Sequence, residues 1–126
     1  MVPYQITNSD TVAHVQGKLN GGEDVEVPAG VTFDIYSSTD TLDIPAGRTM
    51  TIADGGYFQV SLGTLVIAVG GRITNNASWN YYDVGDPDNS GFGNTGIINN
   101  NGYFCDPAGG FRDYGTVTGN AVGSGC

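Results

Sequence analysis

Positive charge is scarce in this chain. Four Lys and Arg residues stand against thirteen Asp and Glu, for a formal net charge of −9 over 126 residues. A surface this acidic repels a phosphate backbone, so no nucleic-acid partner is expected. Histidine occurs once, at His14, and no nucleophile–base motif accompanies it. No apolar run approaches the ~18 residues needed to cross a bilayer, so no membrane span is expected. No basic stretch followed by an apolar one stands at Met1, and the expectation is a mature form or a chain that never carried a signal peptide. Charged residues make up 13%, about half the usual share. Cysteine is limited to Cys105 and Cys126, which is too few to fix the redox compartment.

What fills the space is glycine, 21 residues, and asparagine, eleven, set among Thr, Val and Ile. Helix breakers beside strand formers point to an all-β chain with tight turns. The length suits one domain, residues 1–126.

The order of these residues is repetitive. "VEVPAGVTFDI" (25–35), "LDIPAGRTMTI" (42–52) and "LVIAVGGRITN" (65–75) each read as an alternating strand, a glycine-containing corner and a second strand. In a Pro–x–Gly corner, proline fixes its own φ and glycine accepts the positive φ of a sharp bend. A second template, "GRITNN" (71–76), "GIINNN" (96–101) and "GTVTGN" (115–120), places Ile73, Ile98 and Val117 in one column and Asn76, Asn101 and Asn120 in another. Periods near 20 residues with short strands mark a solenoid. In such a stack each coil lies ~4.8 Å from the last, so like residues meet. The expected fold is a single-stranded parallel β-helix of about four to five coils. Ile52, Ile67, Ile73, Ile98 and Val117 point inward, and Asn76, Asn101 and Asn120 form a corner amide ladder. A β-sandwich with asparagine merely marking loops leaves the in-register columns unexplained.

The N-terminal segment reads as a cap over residues 8–22. Ser9 can cap a helix, Val12, Val15 and Leu19 form one apolar stripe, and "NGG" (20–22) ends it. Such a helix would cover the edge strands of the first coil. On "NSDTVAHVQGKLNGGEDVEVPAGVTFDI" (8–35) the chain resembles the opening of right-handed β-helix proteins of the pectate-lyase superfamily, phage tailspikes included. The coil pattern more broadly resembles repeats of microbial and viral surface proteins. The resemblance implies a fold, not an activity.

"ASWNYYDVGDPDNSGFGNT" (77–95) breaks the repeat and reads as an inserted loop of a length that is usually functional. Its Trp79, Tyr81, Tyr82 and Phe92 are candidates for a glycan-binding platform. Within it, "DPDNSG" (86–91) matches the first half of a calcium loop. Asp86, Asp88 and Ser90, completed by Asp83 or Asn94, would hold the ion. The twelfth position is Ile97 rather than Glu, so an EF-hand is excluded, and a metal-free Asx turn is the competing reading. For ice, Thr39/Thr41, Thr49/Thr51 and Thr116/Thr118 have the right spacing but no evident common column.

Catalysis finds little support. Lys18 belongs to the cap, Arg48 and Arg72 stand at repeat corners, Arg112 sits beside Asp113, and His14 is expected to be solvated. Asp83, Asp86 and Asp88 are too close in sequence to face each other easily across a groove. Cys105 and Cys126 can bridge within the chain, bridge to another subunit, or stay free, and Asn76-Ala77-Ser78 is a glycosylation sequon in a secreted chain. The tail, 119–126, is small and flexible in composition. The expected function is a non-catalytic structural protein that assembles with itself in an extracellular filament, sheath or virion fibre. The alternative is a glycan-binding module using the inserted loop, with calcium as its cofactor.

Overall fold

The computed structural model describes residues 2–81, 93–106 and 115–123. The chain forms a parallel β-solenoid of about four turns with one short helix at its N-terminal end. In chain order the elements are β1 (Tyr4–Gln5), α1 (Val12–Asn20), β2 (Val25–Val27), β3 (Thr32–Ile35) and β4 (Thr41–Ile44). The next turn holds β5 (Thr49–Ile52), β6 (Tyr57–Val60) and β7 (Thr64–Ile67). Then come β8 (Arg72–Asn75), β9 (Ser78–Tyr81), β10 (Gly93–Asn94), β11 (Ile97–Asn100), β12 (Tyr103–Cys105) and β13 (Thr116–Gly119).

Each turn donates one strand to each of three sheets. The first sheet runs β1-β2-β5-β8-β11-β13, the second β3-β6-β9-β12 and the third β4-β7-β10, all pairings being parallel. The alternation of the sequence is the cause. Strand after strand reads intermediate, buried, intermediate, buried, so one face of every strand enters a single core. Ile52, Ile67, Ile73 and Ile98 are all fully buried, and Val117 packs against them partly buried.

The second repeat template lies in register as its columns require. Ile73 faces Ile98 and Ile98 faces Val117 along the first sheet. The first template is corrected. Leu42 pairs with Leu65, but 25–35 belongs to another corner, from first sheet to second. Its register partner is 50–60, with Phe33 on Phe58 and Gly30 N–H bonded to Gly55 O at 3.0 Å. Corners of one solenoid share chemistry because each must bend a strand, so their sequences look alike without being in register. Both stacked pairs, Gly30/Gly55 and Gly47/Gly70, adopt positive φ between 80° and 86°.

A column of close approach fixes another corner. A Cβ on Gly71 would lie 2.5 Å from Ile44 O, on Gly96 2.4 Å from Ala68 O, and on Gly115 2.3 Å from Gly96 O. Any side chain there would push one turn off the next.

Within the cap of 8–22 the helix itself spans Val12–Asn20. Thr11, not Ser9, is the N-cap: it is extended, at φ −87° and ψ 159°, and its hydroxyl accepts the His14 N–H at 3.1 Å. The Ser9 hydroxyl is instead 3.1 Å from that of Thr7. Val12, Val15 and Leu19 are buried as the stripe requires. Of the loop expected over 77–95, Ser78–Tyr81 is β9 and Gly93–Asn94 is β10. Of the expected tail 119–126, Gly119 ends β13 and Gly123 bridges to Cys105.

Candidate functional site

At the N-terminal end of the stack a different device meets the edge of each of the three sheets. On the first sheet β1 pairs with β2. On the second, Asn8 Oδ1 accepts the Thr32 N–H of β3 at 3.0 Å. On the third, the Gln16 amide imitates a strand: its Oε1 accepts the Asp43 N–H at 2.7 Å and its Nε2 donates to Asp43 O at 2.8 Å. Helix α1 lies against β4 and places Gln16 there. Unpaired strand edges invite another chain, and these contacts cover part of each edge and leave only the two-residue β1 as a strand at that end of the first sheet.

Asp10 ties the cap together. Its carboxylate accepts the Thr7 N–H at 2.8 Å and the Tyr4 hydroxyl at 2.9 Å, and it meets Nδ1 of His14 one helical turn on. Burial pushes its pKa up, but the bonds from Thr7, His14 and Tyr4, with the nearby imidazole, outweigh burial and hold it below 3.8. Burial and the same carboxylate push the Tyr4 hydroxyl upward. Lys18 sits 4.8 Å from the Tyr4 ring centre. His14 is therefore carboxylate-bound rather than simply solvated, and its partner orders β1 against α1. Among the described residues no nucleophile completes an Asp–His pair into catalytic machinery.

At the other end β13 is the last strand of the first sheet among the described residues. Thr116, Thr118 and Gly119 are exposed, and Val122 beyond them is 39% exposed. Cys105, buried in β12, is disulfide-bonded. Cys126 lies outside the described residues.

Asparagine links the last turns in two ladders rather than one. The expected corner column is present: Asn101 Nδ2 donates to Asn76 Oδ1 at 3.0 Å. Asn120 stands above it but donates to Gly102 O at 2.9 Å instead. The second ladder is inside. Asn75 and Asn100 are fully buried, and Asn75 Nδ2 donates to Asn100 Oδ1 at 3.0 Å, while Asn100 Nδ2 donates to Asn120 O at 3.0 Å. The signal was legible in the alternation, because Asn75 and Asn100 stand two residues after Ile73 and Ile98 and so share their inward phase.

Several candidate residues are relocated. Trp79 and Tyr81 are 0% and 2% exposed, so neither offers a platform. Their strand presents them inward, and Trp79 continues a core stack of Phe33, Phe58 and Phe104. Trp79 lies 3.9 Å from the Phe104 ring centre and within 4° of parallel. The tyrosines of opposite phase on the same sheet, Tyr57 and Tyr103, are the ones turned outward. Asn94, proposed as a calcium ligand, is buried; its Oδ1 accepts the Gly96 N–H at 3.0 Å and its Nδ2 points to Thr116 O. Tyr82, Asp83, Asp86, Asp88, Ser90 and Phe92 lie outside the described residues. Among the described residues no group of three acidic, His or Cys side chains could hold a metal. The three threonine pairs do not align into one column: Thr41 stands on the third sheet, and on the first sheet Thr49 shares a column with Thr116 and Thr51 with Thr118. Arg72 and Ile97 interrupt the first column, so it is no continuous threonine array.

Comparison with family models, with curated proteins and with solved structures finds no match to this chain. The resemblance to pectate-lyase-superfamily proteins therefore extends to the parallel β-solenoid and no further. No described helix is long and apolar enough to cross a membrane.

Proposed function

We propose that this chain is a non-catalytic structural module that associates with copies of itself through the C-terminal end of its solenoid, as a subunit of an extracellular or virion-surface assembly. The observation that carries this is the contrast between the ends. At the N-terminal end the first sheet ends in the two-residue β1, and Asn8 and Gln16 bond Thr32 and Asp43 on the edges of the other two sheets. At the C-terminal end Gly123 pairs with β12, while among the described residues the first sheet ends in the longer, four-residue β13, whose Thr116, Thr118 and Gly119 are exposed.

The contrast also sets the geometry. A fibre grown head to tail needs an open edge at each end. Here the N-terminal end offers only the two-residue β1 and partly blocked edges of β3 and β4, which disfavours that contact, so the pairing is between two C-terminal ends. Such a contact is isologous and closes at two copies. A filament or sheath then requires lateral contacts between pairs. A charge of −9 per chain opposes the pair at low ionic strength, and salt relieves it. The disulfide at Cys105 fits an oxidising location outside the cytosol.

Light scattering behind size-exclusion chromatography, across protein concentration and from low to high salt, is the test. The expected result is a shift from one chain to two as salt and concentration rise, with Thr118→Lys on the edge strand holding the protein at one chain. A single chain under every condition would remove the proposal.

A further inference from the structure

Among the described residues, the outward positions of the second sheet bring tyrosines and amide side chains together. Tyr57, Ser78 and Tyr103 stack in one outward column on β6, β9 and β12. Gln59 and Asn80 stack in the neighbouring outward column, which is covered at its C-terminal end, where it reaches buried Cys105. The Tyr57 hydroxyl accepts from Asn80 Nδ2, and Gln59 Nε2 donates to Ser61 Oγ at 2.7 Å, so the amides are held in place. Tyr103 is 49% exposed. Two turns separate the tyrosines, about 9.5 Å along the stack at the usual strand spacing.

From this face we infer a binding site for a neutral polysaccharide, running along the stack with sugar rings over Tyr103 and Tyr57 and hydroxyls at Ser78, Gln59 and Asn80. Aromatic rings offer an apolar face to the C–H side of a pyranose, and planar amides donate and accept in pairs as vicinal hydroxyls do. Repetition at the strand spacing suits a repeating ligand. Charge selects a neutral one. The described cations lie elsewhere, Lys18 on the cap and Arg48 and Arg72 along the first sheet. Among the described residues the outward positions of this sheet carry one carboxylate, Asp34, whose oxygens both receive the Ser61 hydroxyl. An anionic glycan would meet no countercharge among the described residues of this face, on a chain of net charge −9. The inference does not depend on self-association, which uses the strand edge at the C-terminal end rather than the face of the second sheet.

Native affinity electrophoresis of the full chain is the test. The gels contain hydroxyethylcellulose, galactomannan or xyloglucan as neutral probes and alginate as the anionic one. The expected result is retardation by at least one neutral polymer and none by alginate. Tyr103→Ala should weaken the retardation between about twofold and about tenfold, and Tyr103→Phe should preserve it. Thr49→Ala, on the first sheet, should leave it unchanged. Tyr57→Ala is the second variant, read only if its circular dichroism matches the parent; Tyr103 is exposed enough for its variants to decide alone. No retardation by any neutral probe, stronger retardation in alginate, or retardation unaffected by Tyr103→Ala would each overturn the inference. The chain's mass in solution is unaffected by either result, so a failure here leaves the self-association test intact.

Discussion

Replacing Asn75 by isoleucine tests the buried amide ladder. The column containing Asn75 begins with Val27 and Ile52, so isoleucine extends an existing apolar column. On burial alone the substitution is favourable by roughly 2 kcal/mol. Against it stand three bonds. Asn75 donates to Asn100 Oδ1 at 3.0 Å and to Tyr103 O at 2.9 Å, and accepts the Ala77 N–H at 3.1 Å. Each partner left bare costs about 1–3 kcal/mol. Taking about 1.5 kcal/mol for each, since two of them lie at a partly buried corner, the loss is about 4.5 kcal/mol and the net destabilisation about 2.5 kcal/mol. For a chain of this length that lowers Tm by roughly 10 °C. Trp79, the only tryptophan and buried in the same core, reports urea unfolding by its fluorescence. Replacing Asn100 by isoleucine as well should recover about 1–2 kcal/mol relative to the sum of the single changes, because the bare Asn100 oxygen is then gone. If Asn75→Ile is as stable as the parent, the ladder adds nothing that an apolar column would not, and the reasoning fails.

Gln16→Ala removes both edge bonds to Asp43; it should cost about 1–2 kcal/mol in urea unfolding and let particles grow beyond two chains, and an unchanged size distribution would contradict the sealing role. Gly96→Ala should cost at least about 2 kcal/mol, since the added carbon falls 2.4 Å from two carbonyl oxygens, and thermal unfolding checks it. Asp10 has a depressed pKa in the folded chain, so its contribution is complete above its ordinary 3.8 and is lost as pH falls through the lower folded value. Asp10→Asn should therefore destabilise at neutral pH and flatten the loss of stability in that acid window, as followed by circular dichroism. The intact chain should weigh two hydrogens less than its sequence if Cys105 pairs with Cys126 within one chain; two free thiols, or a doubled mass only under non-reducing conditions, would refute that pairing.

The fold was legible because two independent signals agree. Period-two alternation marks which residues enter the core, and the spacing of the Gly-x-Ile-x-Asn template marks how turns stack. That template was read in true register, since glycine at its head is required by contact with the turn below. The Pro-x-Gly template misled, because different corners of one turn converge on the same bend chemistry. The site was less legible. Trp79 looked exposed because "WNYYD" is polar around it, yet phase places Trp79 and Tyr81 inward and leaves Tyr57 and Tyr103 outside. Gln16 carries no local signal at all: its partner, Asp43, is 27 residues away and is met only when helix and third sheet are brought together.

The core changes character along the stack, and the change bears on the proposed assembly. One inward column of the first sheet runs Val27, Ile52, Asn75, Asn100, Gly119, while its neighbour stays apolar as Val25, Met50, Ile73, Ile98, Val117. Toward the C-terminal end, cohesion thus passes from side-chain packing to amides that bind carbonyls of the adjacent turn. Asn100 reaches Asn120 O, Asn120 reaches Gly102 O, and Asn94 reaches Thr116 O. Apolar packing tolerates a slipped partner, whereas a directional amide–carbonyl bond is lost when its partner shifts. An end that meets another copy gains from this substitution. At that end β13 is held in one register by bonds from the turn below. A strand fixed in that way can pair with an equivalent strand in only a few alignments, which favours a defined contact between two chains over an amorphous aggregate.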